Sequence, residues 1–121
     1  MILLKQKRDI EMNCKEEFLD VTVGRELLCA EILYDNIPKT ILLPVGFTCA
    51  DSKRFLEELD FEYNAGSSYQ VVFGVIWYTD GTWSEREFDS DTQVDFYAEY
   101  NCFEYWVYKS CPKIPEKLMN S

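Results

Sequence analysis

The sequence predicts an α+β fold: a mainly antiparallel β-sheet of about six strands with one short helix packed on it. Three observations carry that expectation. The segment YQVVFGVIWY, residues 69–78, is almost unbroken apolar sequence of the kind that fills a central strand. Asp80–Gly81 follows it, and an Asp-Gly pair between two strand-like runs is a strong hairpin signal. Thr48 and Asp51 make a capping-box-like start, with Asp in place of the usual Glu or Gln, ahead of Phe55, Leu56 and Leu59 at helical spacing.

Along the chain, residues 1–18 are polar and ambiguous, either a short edge strand or a loosely ordered arm. Two β-like stretches follow at 18–23 and 27–34, parted at Gly24–Arg25. TILLPV at 40–45 reads as a further short strand that Pro44 confines to an edge or an end. The helix is expected over 49–60, and NAGSS at 64–68 closes its connection to the next strand. A two-residue loop at Asp80–Gly81 pairs Tyr78 with Trp83, Ile76 with Glu85 and Gly74 with Glu87. On the other face it pairs Trp77 with Ser84, Val75 with Arg86 and Phe73 with Phe88. That register sets Glu85 and Glu87 beside Trp83 and Tyr78, sends Arg86 to the opposite face, and places Trp77, Phe73 and Phe88 in the core. CFEYWVYKS at 102–110 alternates as a last strand, stopped by the prolines of CPKIPEKL. Residues 89–101 read as a long loop or a short helix. The order is β-β-β-α-β-β-β within a single domain, residues 1–121.

The chain has 121 residues, 47% of them apolar, enough for a core without a metal or disulfide staple. Its longest apolar runs are too short to span a bilayer, and MILLKQKRDIEM leaves no room for a signal-peptide core, so a cytoplasmic location is expected. Cys14, Cys29, Cys49, Cys102 and Cys111 are odd in number and contain no C-x-x-C pair, and the chain has no histidine. Reduced, mostly buried thiols are therefore expected, with no zinc site and no cofactor.

The net charge is −10, and it is segregated. Between Phe55 and Tyr108 twelve acids face one base, Arg86, giving −11; the remaining ten acids and eleven bases leave +1. Such a block repels DNA, RNA and anionic lipid, which excludes direct nucleic-acid or membrane binding. It attracts a basic partner and speeds their encounter at low salt. The plainer alternative is that the acids only keep a small protein soluble.

Little in the sequence points to catalysis. No nucleophile–base pair has recognisable members, and Gly24, Gly46, Gly66, Gly74 and Gly81 are isolated rather than gathered into a phosphate loop. Carboxylate pairs could serve glycoside hydrolysis, but so many acids make some suitable spacing inevitable. No enzymatic activity is expected. Tyr97, Tyr100, Phe103, Tyr105 and Trp106 exceed what so small a core can bury, so some of them are expected at the surface, where tyrosine and tryptophan anchor interfaces. Arg86 is expected to relieve repulsion among the acids around it.

The run GVIWYTDGTWSEREFDSD at 74–91, with the later FEYWVYKSCPKIPEKL, resembles small uncharacterised proteins of bacteriophages and mobile elements. Their shared pattern is an aromatic strand, a D-G-x-W turn, an E-R-x-(Y/F)-D stretch, an aromatic pair, then P-x-I-P. The likeness covers roughly residues 73–118 and picks out Asp80, Gly81, Trp83, Glu85, Arg86, Phe88, Asp89, Trp106, Pro112 and Pro115. The stretch between Asp89 and Phe103 is longer here than in that pattern and holds Asp91, Asp95, Tyr97, Glu99 and Tyr100. The resemblance implies a phage-like origin and a counter-defence role of the anti-CRISPR or anti-restriction type.

The leading expectation is an acidic, non-enzymatic inhibitor, a DNA mimic that occludes the basic surface of a nucleic-acid-binding protein or nuclease complex. Its partner-binding residues would be Trp83, Glu85, Glu87, Asp89, Asp91, Asp95, Tyr97, Glu99 and Tyr100. Two alternatives stand beside it: an immunity or antitoxin-like protein that neutralises a toxin nuclease, and a small-ligand or carbohydrate-binding module using exposed aromatics.

Overall fold

The computed structural model of the chain describes residues 10–36, 39–67, 69–92 and 100–110. Among these, two helices and seven strands follow one another: β1 (Glu11–Asn13), α1 (Cys14–Thr22), β2 (Leu27–Tyr34), β3 (Lys39–Leu43), α2 (Cys49–Glu58), β4 (Glu62–Asn64), β5 (Val72–Tyr78), β6 (Trp83–Thr92) and β7 (Tyr100–Lys109). Five strands make one antiparallel sheet in the order β3-β2-β5-β6-β7, and β1 pairs with β4 in a two-stranded ribbon. The fold is α+β and mainly sheet, as the sequence predicts.

The strand expected at 18–23 is instead helix α1. Val21, Thr22 and Val23 favour extended backbone locally, but Cys14, Phe18 and Thr22 recur every fourth residue and all three are buried. That is the spacing of one helix face, and burying it outweighs the weak local preference. Asn13 caps the helix, its side chain accepting from the Glu16 N–H at 2.9 Å. Gly24, at φ 76°, takes the left-handed conformation that ends it. Helix α2 starts as expected: the Asp51 N–H donates to Thr48 Oγ1 at 3.1 Å while the Thr48 N–H donates to Asp51 Oδ2 at 3.0 Å.

Both helices bury their apolar residues on one side of the sheet. Phe18 and Phe55 meet edge to face with ring centroids 5.1 Å apart. Around them lie Ile32, Ile41, Leu43, Leu59, Ile76 and Tyr78, all essentially buried. Each such side chain contributes about 1.5–3 kcal/mol by leaving water. The opposite side of the sheet carries no helix residue in its cluster, which is Cys29 and Trp77 with Leu28, Val75 and Trp83. It is the open face.

The β5–β6 hairpin forms, but one residue out of the expected register: Trp77 pairs with Trp83, Ile76 with Ser84 and Val75 with Glu85. A two-residue loop of the expected kind needs positive φ at Asp80, and among the described residues only glycines have it. The chain uses a three-residue loop instead. The Gly81 N–H donates to Tyr78 O at 3.1 Å, the Tyr78 N–H donates to Thr82 O at 2.9 Å, and Gly81 sits at φ 91°. Asp80 Oδ1 accepts from the Thr82 N–H at 2.9 Å and so fixes the turn.

A one-residue shift exchanges faces. Tyr78 and Ile76 therefore stand with Ser84 on the helix-covered side, while Trp77 and Val75 stand with Trp83 and Glu85 on the open side. Tyr78 is accordingly not a neighbour of the acids, and its hydroxyl hydrogen-bonds Ser84 Oγ at 2.7 Å in the interior. Phe73, expected in the core, lies 38% exposed on the open face, because the helices cover the other side. Phe88 is half-buried opposite Glu104. The long connection expected at 89–101 is also shorter, since β6 runs on to Thr92 and β7 begins at Tyr100.

Candidate functional site

Strand β6 divides its side chains between two environments. On the open face stand Trp83, Glu85, Glu87 and Asp89; on the covered face stand Ser84 and Arg86. Successive residues on one face of a strand lie about 6.5–7 Å apart, so the acids form a straight row. Trp83 closes one end by packing into the cluster with Trp77 and Val75. Along β7, Val107, Tyr105 and Phe103 register against Glu85, Glu87 and Asp89.

Two of these acids have partners. Lys109 Nζ lies 2.8 Å from Glu87 Oε2, and the Tyr105 hydroxyl donates to Asp89 Oδ2 at 2.8 Å. The Asp89 carboxylate thereby raises the pKa of the Tyr105 hydroxyl, with smaller contributions from burial and Glu87. The Tyr105 ring stacks on Phe103 with centroids 5.6 Å apart. Rings and carboxylates thus share one surface, as the sequence suggests for this stretch. Asp91 and Tyr100 occupy paired backbone positions at the far end of the hairpin, Asp91 opposite Asn101 and Tyr100 opposite Thr92. Asp95, Tyr97 and Glu99 lie outside the described residues.

The covered face holds a constellation that sequence reasoning missed. Arg86 and Glu104, on neighbouring strands, are both buried, with Arg86 Nη2 2.5 Å from Glu104 Oε1. Arg86 Nη1 lies 3.3 Å from Glu17 Oε2 on α1, and Arg86 Nη2 donates to the Tyr63 hydroxyl at 2.9 Å. That hydroxyl in turn donates to Glu17. Glu104 also accepts from the backbone N–H groups of Val71 at 2.7 Å and Val72 at 2.9 Å. The Trp106 ring lies beside the guanidinium, 5.3 Å from its carbon. One cation therefore ties α1, β4, β6 and β7 together. The only signals for it were Arg86 as the sole base of the acidic half and Glu104 set between rings in CFEYWVYKS.

Two carboxyl groups share one guanidinium there, and the protonation of Glu17 differs from that in water. Burial pushes the Glu17 carboxyl above its ordinary 4.5, against the pull of Arg86 and the hydrogen bond from Tyr63. Burial likewise raises the Tyr63 hydroxyl. For Arg86, burial alone would lower the pKa, but Tyr63, Glu17 and Glu104 outweigh it and hold the charge.

The sign for stability follows from Glu17. A carboxyl with a raised folded-state pKa binds more protons folded than unfolded, so its contribution is greatest at low pH and falls as pH climbs from about 4.5 through the raised value. Glu17→Gln should remove that downward slope. Urea unfolding of both proteins across pH 4–8 measures it; parallel curves would show that Glu17 does not titrate anomalously. Asp51, Asp60 and Asp80, held below the ordinary 3.8 by hydrogen bonds, act oppositely at more acidic pH, where stability is lost as they protonate.

Cys14, Cys29 and Cys102 are buried, Cys49 is exposed and none of the four is in a disulfide; Cys111 lies outside the described residues. Burial raises Cys14 to about 12 and Cys29 to about 11, which leaves both as unreactive thiols at neutral pH. Among the described residues no three cysteine or carboxylate side chains gather as a metal site, and no helix is long and apolar enough to cross a membrane. No protein family, curated protein or solved structure matches this chain.

Proposed function

We propose that the chain is a non-enzymatic inhibitor that binds a basic, nucleic-acid-handling protein through the open face of β6 and β7, in the manner of an anti-CRISPR or anti-restriction protein acting in the host cytoplasm. One observation carries this reading: Trp83, Glu85, Glu87 and Asp89 form a row of acids and a ring on a sheet face that the protein's own helices leave uncovered. Their interval of about 6.5–7 Å resembles that between phosphates along a nucleic-acid backbone, whose projection on the axis is about 3.4 Å. The row can thus occupy cation positions that otherwise hold a strand of DNA or RNA. Trp83, Tyr105 and Phe103 supply apolar contact between the charges.

The test is a pull-down from bacterial lysate with tagged protein as bait, at low and high salt and with excess duplex DNA. The reading expects capture of a nucleic-acid enzyme that both salt and DNA displace. Glu85→Lys with Asp89→Lys should abolish capture while leaving the unfolding midpoint nearly unchanged, since both side chains stand outside the core. Capture indifferent to DNA would move the contact away from the partner's nucleic-acid groove. Capture that survives the double reversal would take the β6 row out of the interface.

A further inference from the structure

One row crosses the entire open face at right angles to the strands. Leu42 of β3 registers against Glu31 of β2, Glu31 against Val75 of β5, Val75 against Glu85 of β6, and Glu85 against Val107 of β7. The row therefore alternates apolar, acidic, apolar, acidic, apolar. Leu42 is 49% exposed, and beside the row Phe73 is 38% exposed. Alongside the row lies a groove of about 290 Å³ lined by Glu31, Leu33, Thr40, Phe73, Gly74 and Val75. Face-on, Trp77 and Trp83 wall the row on one side.

We infer that this row docks a basic amphipathic helix of the partner, laid across the strands. The inference rests on the inhibitor reading above and specifies what the partner presents. Neighbouring strands lie about 4.8 Å apart, so the five positions fall at about 0, 5, 10, 14 and 19 Å. A helix rising about 1.5 Å per residue places positions i, i+3, i+7, i+10 and i+14 at about 0, 4.5, 10.5, 15 and 21 Å. Leucine-like residues at i, i+7 and i+14 then meet Leu42, Val75 and Val107. Arginines at i+3 and i+10 meet Glu31 and Glu85. Charge excludes a second copy of this chain as the occupant, because it would bring another strongly acidic face against these acids. An uncharged apolar segment is disfavoured as well, since it would bury the Glu85 carboxylate without a cation to compensate it.

The probe is a stapled helical peptide of about 15 residues with leucines at i, i+7 and i+14 and arginines at i+3 and i+10, the rest alanine and glutamine. Its control has the same composition in permuted order. Calorimetry measures affinity, and amide NMR shifts locate the contact. The patterned peptide should bind about tenfold more tightly than the control, with the largest shifts at Glu31, Val75 and Glu85. Leu42→Lys, at an exposed position, should erase that advantage. Equal, salt-sensitive binding of both peptides at the β6 acids would overturn the helix and leave the acidic-row reading standing. Binding of neither, or shifts mapping elsewhere, would also overturn it, while the lysate pull-down reports separately on the inhibitor reading.

Discussion

Arg86→Leu should destabilise the fold by about 3–5 kcal/mol, the range for stripping one partner from a buried ion pair. The guanidinium is almost wholly buried and contacts Glu104, Glu17 and Tyr63 at once. Its loss leaves two carboxyl groups in the interior with no cation between them. Glu104 would keep the N–H groups of Val71 and Val72, but Glu17 would keep only Tyr63. Arg86→Lys should recover part of the loss, since a lysine ammonium cannot reproduce the planar fork that reaches several partners. In the double variant Arg86→Met with Glu104→Gln, the two effects should add to less than their sum by about 1–3 kcal/mol, as expected for groups in one network. Urea unfolding of the four proteins gives the cycle. A single variant within about 0.5 kcal/mol of the parent would show that the network contributes no net stability.

Gly74→Ala is expected to be comparably severe, for a steric reason. Strand β5 comes so close to β2 that a Cβ at Gly74 would lie 2.5 Å from the Glu31 carbonyl oxygen and 3.1 Å from Ile32 Cα. Those atoms are backbone of a central strand and cannot rotate away as a side chain would. The residue also sits at φ 156°, a conformation L-residues seldom adopt. Relief requires the β2–β5 pairing to open, at about 3 kcal/mol or more, which in a domain of this size lowers the melting temperature by roughly 10 °C. Gly24 is the control, because a Cβ there meets nothing within 4 Å and only the backbone conformation, φ 76°, resists substitution. Equal melting temperatures for Gly74→Ala and Gly24→Ala would refute the close-approach argument.

Local chemistry accounts for what the sequence predicts well. The capping pair Thr48 and Asp51 acts within one turn, and the apolar run at 69–78 must be a central strand because nothing else can bury it. Distant contacts account for what it does not. Helix α1 follows from Cys14, Phe18 and Thr22 meeting a core assembled by other elements, which no window around 18–23 contains. Strands β1 and β4 have three residues each, too few for a period. The hairpin's position was legible and its register was not, because Asp-Gly serves two-residue and three-residue loops alike and the difference reverses the faces. On the candidate surface, the neighbours Glu85, Glu87 and Asp89 were evident from alternation in β6 alone. The transverse row through Leu42, Glu31 and Val75 was not, because it needs the pairing of five strands. Arg86, Glu104 and Glu17 are separated by 18 and 69 residues in the chain and meet only in three dimensions.

The strict alternation of β6 has a consequence for how such a protein can change over generations. Ser84 and Arg86 are committed to the interior, while Glu85, Glu87 and Asp89 between and beside them stand on the open face. An inhibitor of the kind proposed, under pressure from a changing target, could therefore rewrite every second letter of one strand. The letters in between keep the architecture, so new specificities stay within single-nucleotide reach of a foldable ancestor.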